Sequence, residues 1–280
     1  MFIAKTQVIP ENGLMQKTDI VLGYSKIPAD ISAGYEYLIN LISPDERAQL
    51  LDIRNKQRQK SFLWGRVLLR KVLNRVAGNE CKNRKWHLHT DSYGRPRLQH
   101  DEGNCQDISF SISHTHGLVC VAASSQFHVG LDVELIPKEN IDIDAALAPE
   151  EQDYLKTFQG RAKTKKTIII WTVKEAYSKL LGKGLSMDFQ TLVVDLEKNI
   201  LNSRFLENLK PIETVNFLYE YFELEGSPYV LTLCFTPQTQ GINADFSGCN
   251  VSKSNGYTPK TSFEGLIKKG NFFFFDSFLG

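Results

Sequence analysis

The side chains of this chain that could carry out chemistry are concentrated in two short segments. The first, residues 129–134, has the sequence VGLDVE, in which apolar residues alternate with others as in a half-buried strand. Alternate residues of a strand point to the same side, so Asp132 and Glu134 are expected to project together, about 6.5–7 Å apart, with Gly130 leaving space beside them. The segment therefore predicts two carboxylates directed into one space.

The second segment, residues 171–179, has the sequence WTVKEAYSK and predicts an amphipathic helix. Glu175 and Lys179 are four residues apart, so they share a helix face. Three carboxylates and an ammonium group around one space would hold a hard cation and a phosphate together, which predicts a substrate that carries a diphosphate. The apolar stripe on the opposite side of the helix consists of Val173, Ala176, Tyr177, Leu180 and Leu181.

Each segment also has a purely structural interpretation. Asp132 and Glu134 could form surface ion pairs on an exposed strand. Glu175 and Lys179 could form an ordinary salt bridge within a helix, which contributes only a few tenths of a kcal/mol. The chemical interpretation therefore depends on both segments occurring together with other polar groups.

A row of hydroxyl groups forms one such set. Ser109, Ser111 and Ser113 alternate with apolar residues, and His114 follows where the strand should end. Hydroxyls and an imidazole at a strand end suit contacts with a phosphate or a hydroxyl ligand. The alternatives are a solvated face of an antiparallel sheet, or a metal pair formed by His114 with His116.

Arginines form the second set. Arg66 and Arg70 are four residues apart on a predicted helix over residues 58–76, with Arg58 near the same stripe. Like charges at this spacing repel each other, and a bound anion would offset that cost because arginine matches phosphate oxygens. A solvated basic face is the simpler alternative. Arg95 lies in a rigid turn at residues 94–96.

Helices and strands that must position these groups have clear boundaries in the sequence. Ser43 followed by proline and two acids predicts a helix start, and Glu151 lies in a similar acidic start. A glycine at 182 is expected to end the helix that carries Lys179. Strands are expected at residues 2–8, 19–24, 86–90, 108–114, 118–124, 127–134, 217–223 and 228–235.

Composition indicates an ordinary soluble protein. The chain has 280 residues, 42% of them hydrophobic and 23% charged, with a net charge of +1. This charge gives no support for a nucleic-acid or membrane partner, and no apolar run approaches the roughly 20 residues that span a bilayer. No signal peptide is expected, and the five scattered cysteines predict reduced thiols in a cytoplasmic protein.

In their order along the chain, these segments resemble the 4′-phosphopantetheinyl transferase superfamily, specifically its larger Sfp-type members. That family has a G-(K/R)-P turn, a (V/I)-G-(V/I)-D-(V/I)-E strand and a W-x-x-K-E-(A/S)-x-x-K helix. They correspond here to residues 94–96, 129–134 (with leucine at the second apolar position) and 171–179. The SISH segment at 111–114 and the FLWGRVLLR segment at 62–70 also match.

The resemblance covers about residues 40–237 and implies an α+β fold of two similar halves related by a pseudo-twofold axis, with the active-site cleft between them. The expected division is 1–126 for the nucleotide-binding half, 127–237 for the metal-binding half and 238–280 for a flexible extension. A monomer is expected, since one chain would build both walls of the cleft.

By the same resemblance, Asp132, Glu134 and Glu175 would hold Mg²⁺ against the diphosphate of coenzyme A, and Lys179 would contact a diphosphate oxygen. Glu175 or Glu151 would help to deprotonate the nucleophile. The adenosine and its 3′-phosphate would be surrounded by Arg95, Pro96, Ser113, His114 and one or both of Arg66 and Arg70. Some relatives carry lysines in the helix that begins near residue 44, where this chain has Glu46 and Gln49.

The implied reaction transfers phosphopantetheine from coenzyme A to a serine of an apo carrier protein of fatty-acid, polyketide or peptide synthesis, releasing adenosine 3′,5′-bisphosphate. Two other functions are compatible with these residues: a catalytically silent module that binds carrier proteins, and a Mg²⁺-dependent diphosphate hydrolase.

Overall fold

The computed structural model describes residues 20–30, 34–77, 86–91, 94–98, 107–139, 141–203, 215–238 and 272–273. Helices and antiparallel sheets occur in both halves of this part, so the fold is α+β, as expected. In the described part, no helix has the length and apolar character required to span a membrane. The strand expected at residues 2–8 lies outside the described residues.

The elements between Ile20 and Ser124 are called the first half. In chain order they are β1 (Ile20–Lys26), α1 (Tyr35–Asn40), α2 (Pro44–Asp52), α3 (Lys56–Ala77), β2 (Leu88–Thr90), β3 (Pro96–Leu98), β4 (Ser109–Thr115) and β5 (Leu118–Ser124). Strand β5 lies between β1 and β4 and is antiparallel to both.

The elements between Phe127 and Pro237, called the second half, repeat this order except for α1, which has no α-helical counterpart among the described residues. They are β6 (Phe127–Leu135), α4 (Pro149–Lys156), α5 (Gly160–Leu181), β7 (Leu192–Asp195), β8 (Ile200–Ser203), β9 (Asn216–Leu224) and β10 (Ser227–Pro237). Strand β10 lies between β6 and β9, as β5 does between its neighbours. Each half thus contributes one 22-residue helix, a short hairpin and three antiparallel strands of its sheet.

Three apolar cores lie between four layers. One core joins the helices α1–α3 to the first sheet, and a second joins α4 and α5 to the second sheet. The third lies between the two sheets and includes Leu118 and Leu131, both fully buried. The apolar side of β6 (Val129, Leu131 and Val133) belongs to this central core, as its alternation predicted.

The repeat extends to buried charges. Glu46 lies in the first turn of α2 and accepts a hydrogen bond from the backbone N–H of Ser43 at 2.8 Å. Glu151 occupies the same place in α4. Each glutamate is buried and forms an ion pair with a cation of the long helix that follows, Arg70 in α3 and Lys174 in α5. The two similar halves expected from the sequence are therefore present.

Serine side chains connect β4 of the first sheet to β6 of the second. The Oγ atoms of Ser109, Ser111 and Ser113 accept hydrogen bonds from the backbone N–H groups of Val129, Leu131 and Val133 at 3.1, 3.0 and 3.2 Å. Ser111 and Ser113 are buried, so the solvated face that the sequence left open is not formed. Ser111 also lines the cavity described below, and contacts of these hydroxyls with a phosphate or hydroxyl ligand stay a prediction. The hydroxyls satisfy the edge of a neighbouring strand, which an isolated sequence does not reveal.

Gly130 permits the close approach of α5 to β6. A Cβ atom at this position would lie 2.1 Å from the carbonyl oxygen of Ala176 and 2.4 Å from the backbone nitrogen of Leu180. The missing side chain brings the helix that carries Lys179 directly onto the strand that carries Asp132. The helix then ends at Gly182, which has a left-handed φ of 73°.

The described residues of the C-terminal extension are Gln238, Phe272 and Phe273. The two phenylalanines form a short strand, β11 (Phe272–Phe273), parallel to β1 at the edge of the first sheet. Residues 239–271 and 274–280 lie outside the described part, so the expected flexibility of the extension stays a prediction.

Gly130→Ala is expected to lower the free energy of unfolding by at least about 2 kcal/mol, because contacts with backbone atoms cannot be relieved by rotating a side chain. Gly34→Ala is the matched control, since nothing lies within 4 Å of its added Cβ atom; its expected effect is about 0.5 kcal/mol or less. Urea unfolding measures both, and equal changes would contradict the close approach.

Candidate active site

Lys179 connects residues of the two sheets at the candidate site. Its Nζ atom lies 2.6 Å from Oδ1 of Asp132 and donates to Oγ of Ser113 at 3.0 Å. The Ser113 hydroxyl donates in turn to Oδ1 of Asp132 at 2.8 Å. Strand β4, strand β6 and helix α5 therefore each contribute one residue to this contact.

The other two predicted acids share the electrostatic environment of Asp132. Burial raises the pKa of Glu134, and the charge of Asp132 raises it further, while a hydrogen bond from Thr115 at 2.9 Å acts in the opposite direction. Burial and then the charge of Asp132 raise the pKa of Glu175 to about 7. Glu175 is therefore poised to exchange a proton near neutral pH.

These carboxylates are negatively charged oxygen donors, which are the ligands that a hard cation prefers. Oδ2 of Asp132 is buried and has no hydrogen-bond partner among the described residues. An unpaired buried carboxylate oxygen is costly, and a divalent cation would remove that cost. Within the same part of the chain, no three His, Cys, Asp or Glu side chains are already arranged as ligands around one point. Binding of one ion by all three carboxylates would therefore require side-chain movement.

Beside this acidic cluster is a cavity of about 350 Å³. Its walls come from α3, the turn at residues 94–96, β4 and the end of α5. Its described lining contains no carboxylate, so its electrostatic character is positive. The cationic side chains of the lining are Arg58, Arg66, Arg95 and Lys179, and His114 adjoins them.

The structure separates the two candidate arginines of α3. Arg66 lines the cavity, with its guanidinium 4.7 Å from the ring centre of Phe62. Arg70 does not line it, because its guanidinium binds both carboxylate oxygens of Glu46 and the carbonyl oxygen of Trp86. Nε of Arg66 lies 3.3 Å from the same carboxylate. One buried carboxylate thus faces two guanidinium groups and leaves net positive charge at the cavity wall.

The predicted turn brings Arg95 and Pro96 to the wall of the same cavity. The Arg95 guanidinium donates to the carbonyl oxygens of Leu180 and Phe110 at 3.3 and 3.5 Å. Burial lowers the pKa of Arg95 to about 10, so it stays charged at neutral pH. Burial, followed by the charge of Lys179, lowers the pKa of His114, which favours the neutral imidazole.

Glu151 does not lie with the other acids. Its carboxylate accepts hydrogen bonds from the backbone N–H groups of Ala148 and Val194 at 2.8 and 2.7 Å and from Nζ of Lys174 at 2.5 Å. The residue is 1% exposed, and this burial raises the pKa of its carboxyl group. This placement disagrees with the expected role in deprotonation, since the carboxylate anchors α4 to α5 instead.

Two residues of the site escaped the sequence interpretation. Glu46 was noted only where relatives carry a lysine, yet it is the buried counter-charge of both arginines. Thr115 follows the predicted strand and holds Glu134. The capping pattern at Ser43 was a signal for Glu46, because a glutamate three residues after a capping serine turns back toward the chain.

Comparison with known proteins agrees with this geometry. A family model described as the 4′-phosphopantetheinyl transferase superfamily matches residues 128–234, and one described as the N-terminal part of 4′-phosphopantetheinyl transferase matches residues 29–126. The chain is 27% identical over 174 residues to the 4′-phosphopantetheinyl transferase gsp of Aneurinibacillus migulanus, covering 61% of this chain and 70% of that protein.

Two further relatives have similar coverage. The 4′-phosphopantetheinyl transferase HetI of Nostoc sp. is 28% identical over 165 residues, which is 58% of this chain and 68% of that protein. Sfp of Bacillus subtilis is 27% identical over 165 residues, or 59% and 70% of the two chains. The chain therefore belongs to the 4′-phosphopantetheinyl transferase superfamily, and its repeated halves are those expected of the Sfp type.

Arg70→Met is expected to lower the free energy of unfolding by about 3 kcal/mol, because it removes one partner of a buried ion pair. Chemical denaturation measures this loss, with the exposed neighbour substitution Lys71→Met as the control. If Arg70→Met proved as stable as the control, the buried pairing with Glu46 would not hold.

Glu175→Gln is expected to raise the melting temperature at pH 8 in metal-free buffer, and to leave it nearly unchanged at pH 5. The pKa of Glu175 is about 7, so the folded protein carries an unfavourable carboxylate at pH 8 and a neutral carboxyl at pH 5. The exposed Glu223→Gln is the control. A lower melting temperature of Glu175→Gln at pH 8 would contradict this charge balance.

Proposed function

We propose that this chain transfers 4′-phosphopantetheine from coenzyme A to a serine of an apo carrier protein, with Mg²⁺ and with release of adenosine 3′,5′-bisphosphate. The observation that carries the proposal is the position of Lys179. This residue lines the cationic cavity and at the same time contacts Asp132 of the acidic cluster. A diphosphate bound across Lys179 would have a nucleotide on one side and the carboxylates on the other.

The cavity supports a nucleotide as the bound part of the substrate. Its volume of about 350 Å³ is within the range of small-molecule sites. Arg66 and Arg95 both line it, and guanidinium groups suit a ligand with several phosphates. Phe62 and Pro96 add apolar surface for a base or a sugar.

Asp132, Glu134 and Glu175 are the residues that would hold Mg²⁺, since they are oxygen donors and Asp132 has an unpaired buried oxygen. Bound there, the ion would supply charge neutralisation for the diphosphate. Ser113 and Thr115 would keep Asp132 and Glu134 oriented through hydrogen bonds that are already present.

In the proposed reaction, the hydroxyl oxygen of the carrier serine bonds to the phosphorus of the phosphopantetheine phosphate. The bond from that phosphorus to the bridging oxygen breaks, and adenosine 3′,5′-bisphosphate leaves with the electron pair. Lys179 would stabilise the negative charge on the leaving phosphate. Glu175 would accept the serine proton directly or through water, help that is typically worth roughly 10²–10⁴-fold.

The wider setting follows from this reaction. We propose that residues 1–126 bind mainly the nucleotide, that residues 127–237 supply the metal ligands, and that 238–280 form an extension. One chain would build both walls of the cleft and act as a monomer. The cytoplasm, where coenzyme A and carrier proteins of fatty-acid, polyketide and peptide synthesis meet, would be its compartment.

Asp132→Asn is expected to reduce the transfer rate at least about 100-fold, because it removes a charge that organises the diphosphate. The assay combines the protein, Mg²⁺, coenzyme A and an apo acyl carrier protein, and follows the intact mass of the carrier. The wild type should add one phosphopantetheine. Asp153→Asn, an exposed acid of α4, is the control and should keep its activity.

Other results would indicate other functions. Release of adenosine bisphosphate without a carrier would indicate a hydrolase, and carrier binding with no gain in mass would indicate a silent module. Melting temperature provides a second measurement, independent of activity. Mg²⁺ should raise it for the wild type and much less for Asp132→Asn.

A further inference from the structure

We propose that Thr172 and Thr232 act together as positioning residues for the candidate metal site. Thr172 accepts the hydroxyl proton of Thr232, and the Oδ2 atom of Asp132 is thereby left without a hydrogen bond and available to a divalent cation. This inference rests on the proposed function, since it concerns the same Mg²⁺ site. Neither threonine is a ligand of the ion, and both act through the carboxylate.

Thr232 occupies the place beside Asp132 on the neighbouring strand. In the antiparallel ladder between β6 and β10, Thr232 is the register partner of Asp132, so the two side chains lie on the same face of the sheet. The residues two positions before and after it, Val230 and Cys234, belong to the apolar core that joins α5 to the second sheet. Thr232 is fully buried between them. A buried hydroxyl in such an apolar row needs a hydrogen-bond partner.

The hydroxyl of Thr172 on α5 is that partner. The two Oγ1 atoms are 2.8 Å apart, and Thr172 is also fully buried. Thr172 has a single hydroxyl proton, and the carbonyl oxygen of Ile169 accepts it at 2.9 Å. Thr232 is therefore the donor in the pair, so its proton is directed to α5 and not to the neighbouring carboxylate.

Asp132 has a hydroxyl side chain on each side of its strand, because β6 lies between β4 and β10. Ser113 of β4 donates to Oδ1 at 2.8 Å, and Lys179 also contacts Oδ1. Oδ2 is buried and has no partner within the described part of the chain, although Thr232 occupies the adjacent register position. Cross-strand partners have Cβ atoms about 4.5–5.5 Å apart, which a hydroxyl and a carboxylate oxygen can bridge. The direction of the Thr232 proton therefore explains the missing bond.

Thr172 lies on the helix face that carries the other charges of the site. Thr172, Glu175 and Lys179 are spaced by three and four residues, which places them along one side of α5. Without the Thr172 hydroxyl, that of Thr232 would be buried with no acceptor on the helix. Oδ2 of Asp132 would then be available to it, and Mg²⁺ would have to compete with that hydrogen bond.

The test separates this effect from a loss of packing by changing each threonine to valine, which has nearly the same shape and no hydroxyl. Isothermal titration calorimetry measures Mg²⁺ binding to the full chain in the presence of coenzyme A. Thr172→Val should weaken Mg²⁺ binding about tenfold, because the Thr232 hydroxyl can then donate to Oδ2. Thr232→Val should change it less than about twofold, and the double variant should bind within about threefold of the wild type, since no competing hydroxyl remains.

Thr172→Ser keeps the accepting hydroxyl and should bind Mg²⁺ as the wild type does. Thr167→Val is the matched control, because Thr167 is a buried threonine of α5 whose hydroxyl donates within the helix, to the carbonyl oxygen of Lys163 at 2.9 Å. Urea unfolding without Mg²⁺ verifies that each variant is folded. Should Thr172→Val not fold, Thr172→Ala carries the same expectation.

The variants also distinguish a purely structural role. Equal weakening of Mg²⁺ binding by Thr172→Val and Thr232→Val, or a double variant that binds more weakly than both, would indicate such a role and overturn the proposal. Unchanged binding in Thr172→Val would overturn it as well, while leaving the proposed function intact. Failure of the wild type to bind Mg²⁺ would overturn the metal site of the proposed function together with this inference.

Discussion

Strands β4 and β6 are joined by serine side chains and not by a backbone ladder, and the position of the whole site depends on that contact. The serine hydroxyls of β4 satisfy N–H groups of β6 that would otherwise be unpaired at a sheet edge. The last of these, Ser113, also holds Asp132 and Lys179. The same side chain therefore connects the two halves and orients the charges between them.

The contact between β4 and β6 also places positive and negative charges a short distance apart. A cavity with cationic walls adjoins three carboxylates, and Lys179 lies at the boundary. Placing carboxylates together under partial burial is unfavourable, as the raised pKa values of Glu134 and Glu175 indicate. A bound cation and diphosphate would relieve this repulsion. Without them, the clustered carboxylates lower the stability of the folded chain at the place where the proposed chemistry occurs.

Much of this arrangement could be predicted from local patterns. Alternation in residues 129–134 and the helical stripe of α5 indicated the correct faces, because both depend only on the geometry of a single element. Partners from distant elements could not be predicted in this way. The serines of β4 looked available until β6 was placed beside them, and Arg70 looked equivalent to Arg66 until Glu46 was found between them. Glu151 could not be recognised as a capping glutamate in the way that Glu46 could, because alanine and not serine occupies the cap position of its helix.

The two buried glutamates also explain why similar halves have different roles. In the second half, Glu151 is balanced by one lysine and two backbone N–H groups, so no charge is left over. In the first half, Glu46 meets two arginines, and one positive charge remains at the cavity wall. The repeat thus gives a neutral anchor on one side and an anion-binding wall on the other. The carboxylates of β6 and α5 belong to the second half. A nucleotide diphosphate would therefore contact the first half with its nucleotide and the second half with its diphosphate.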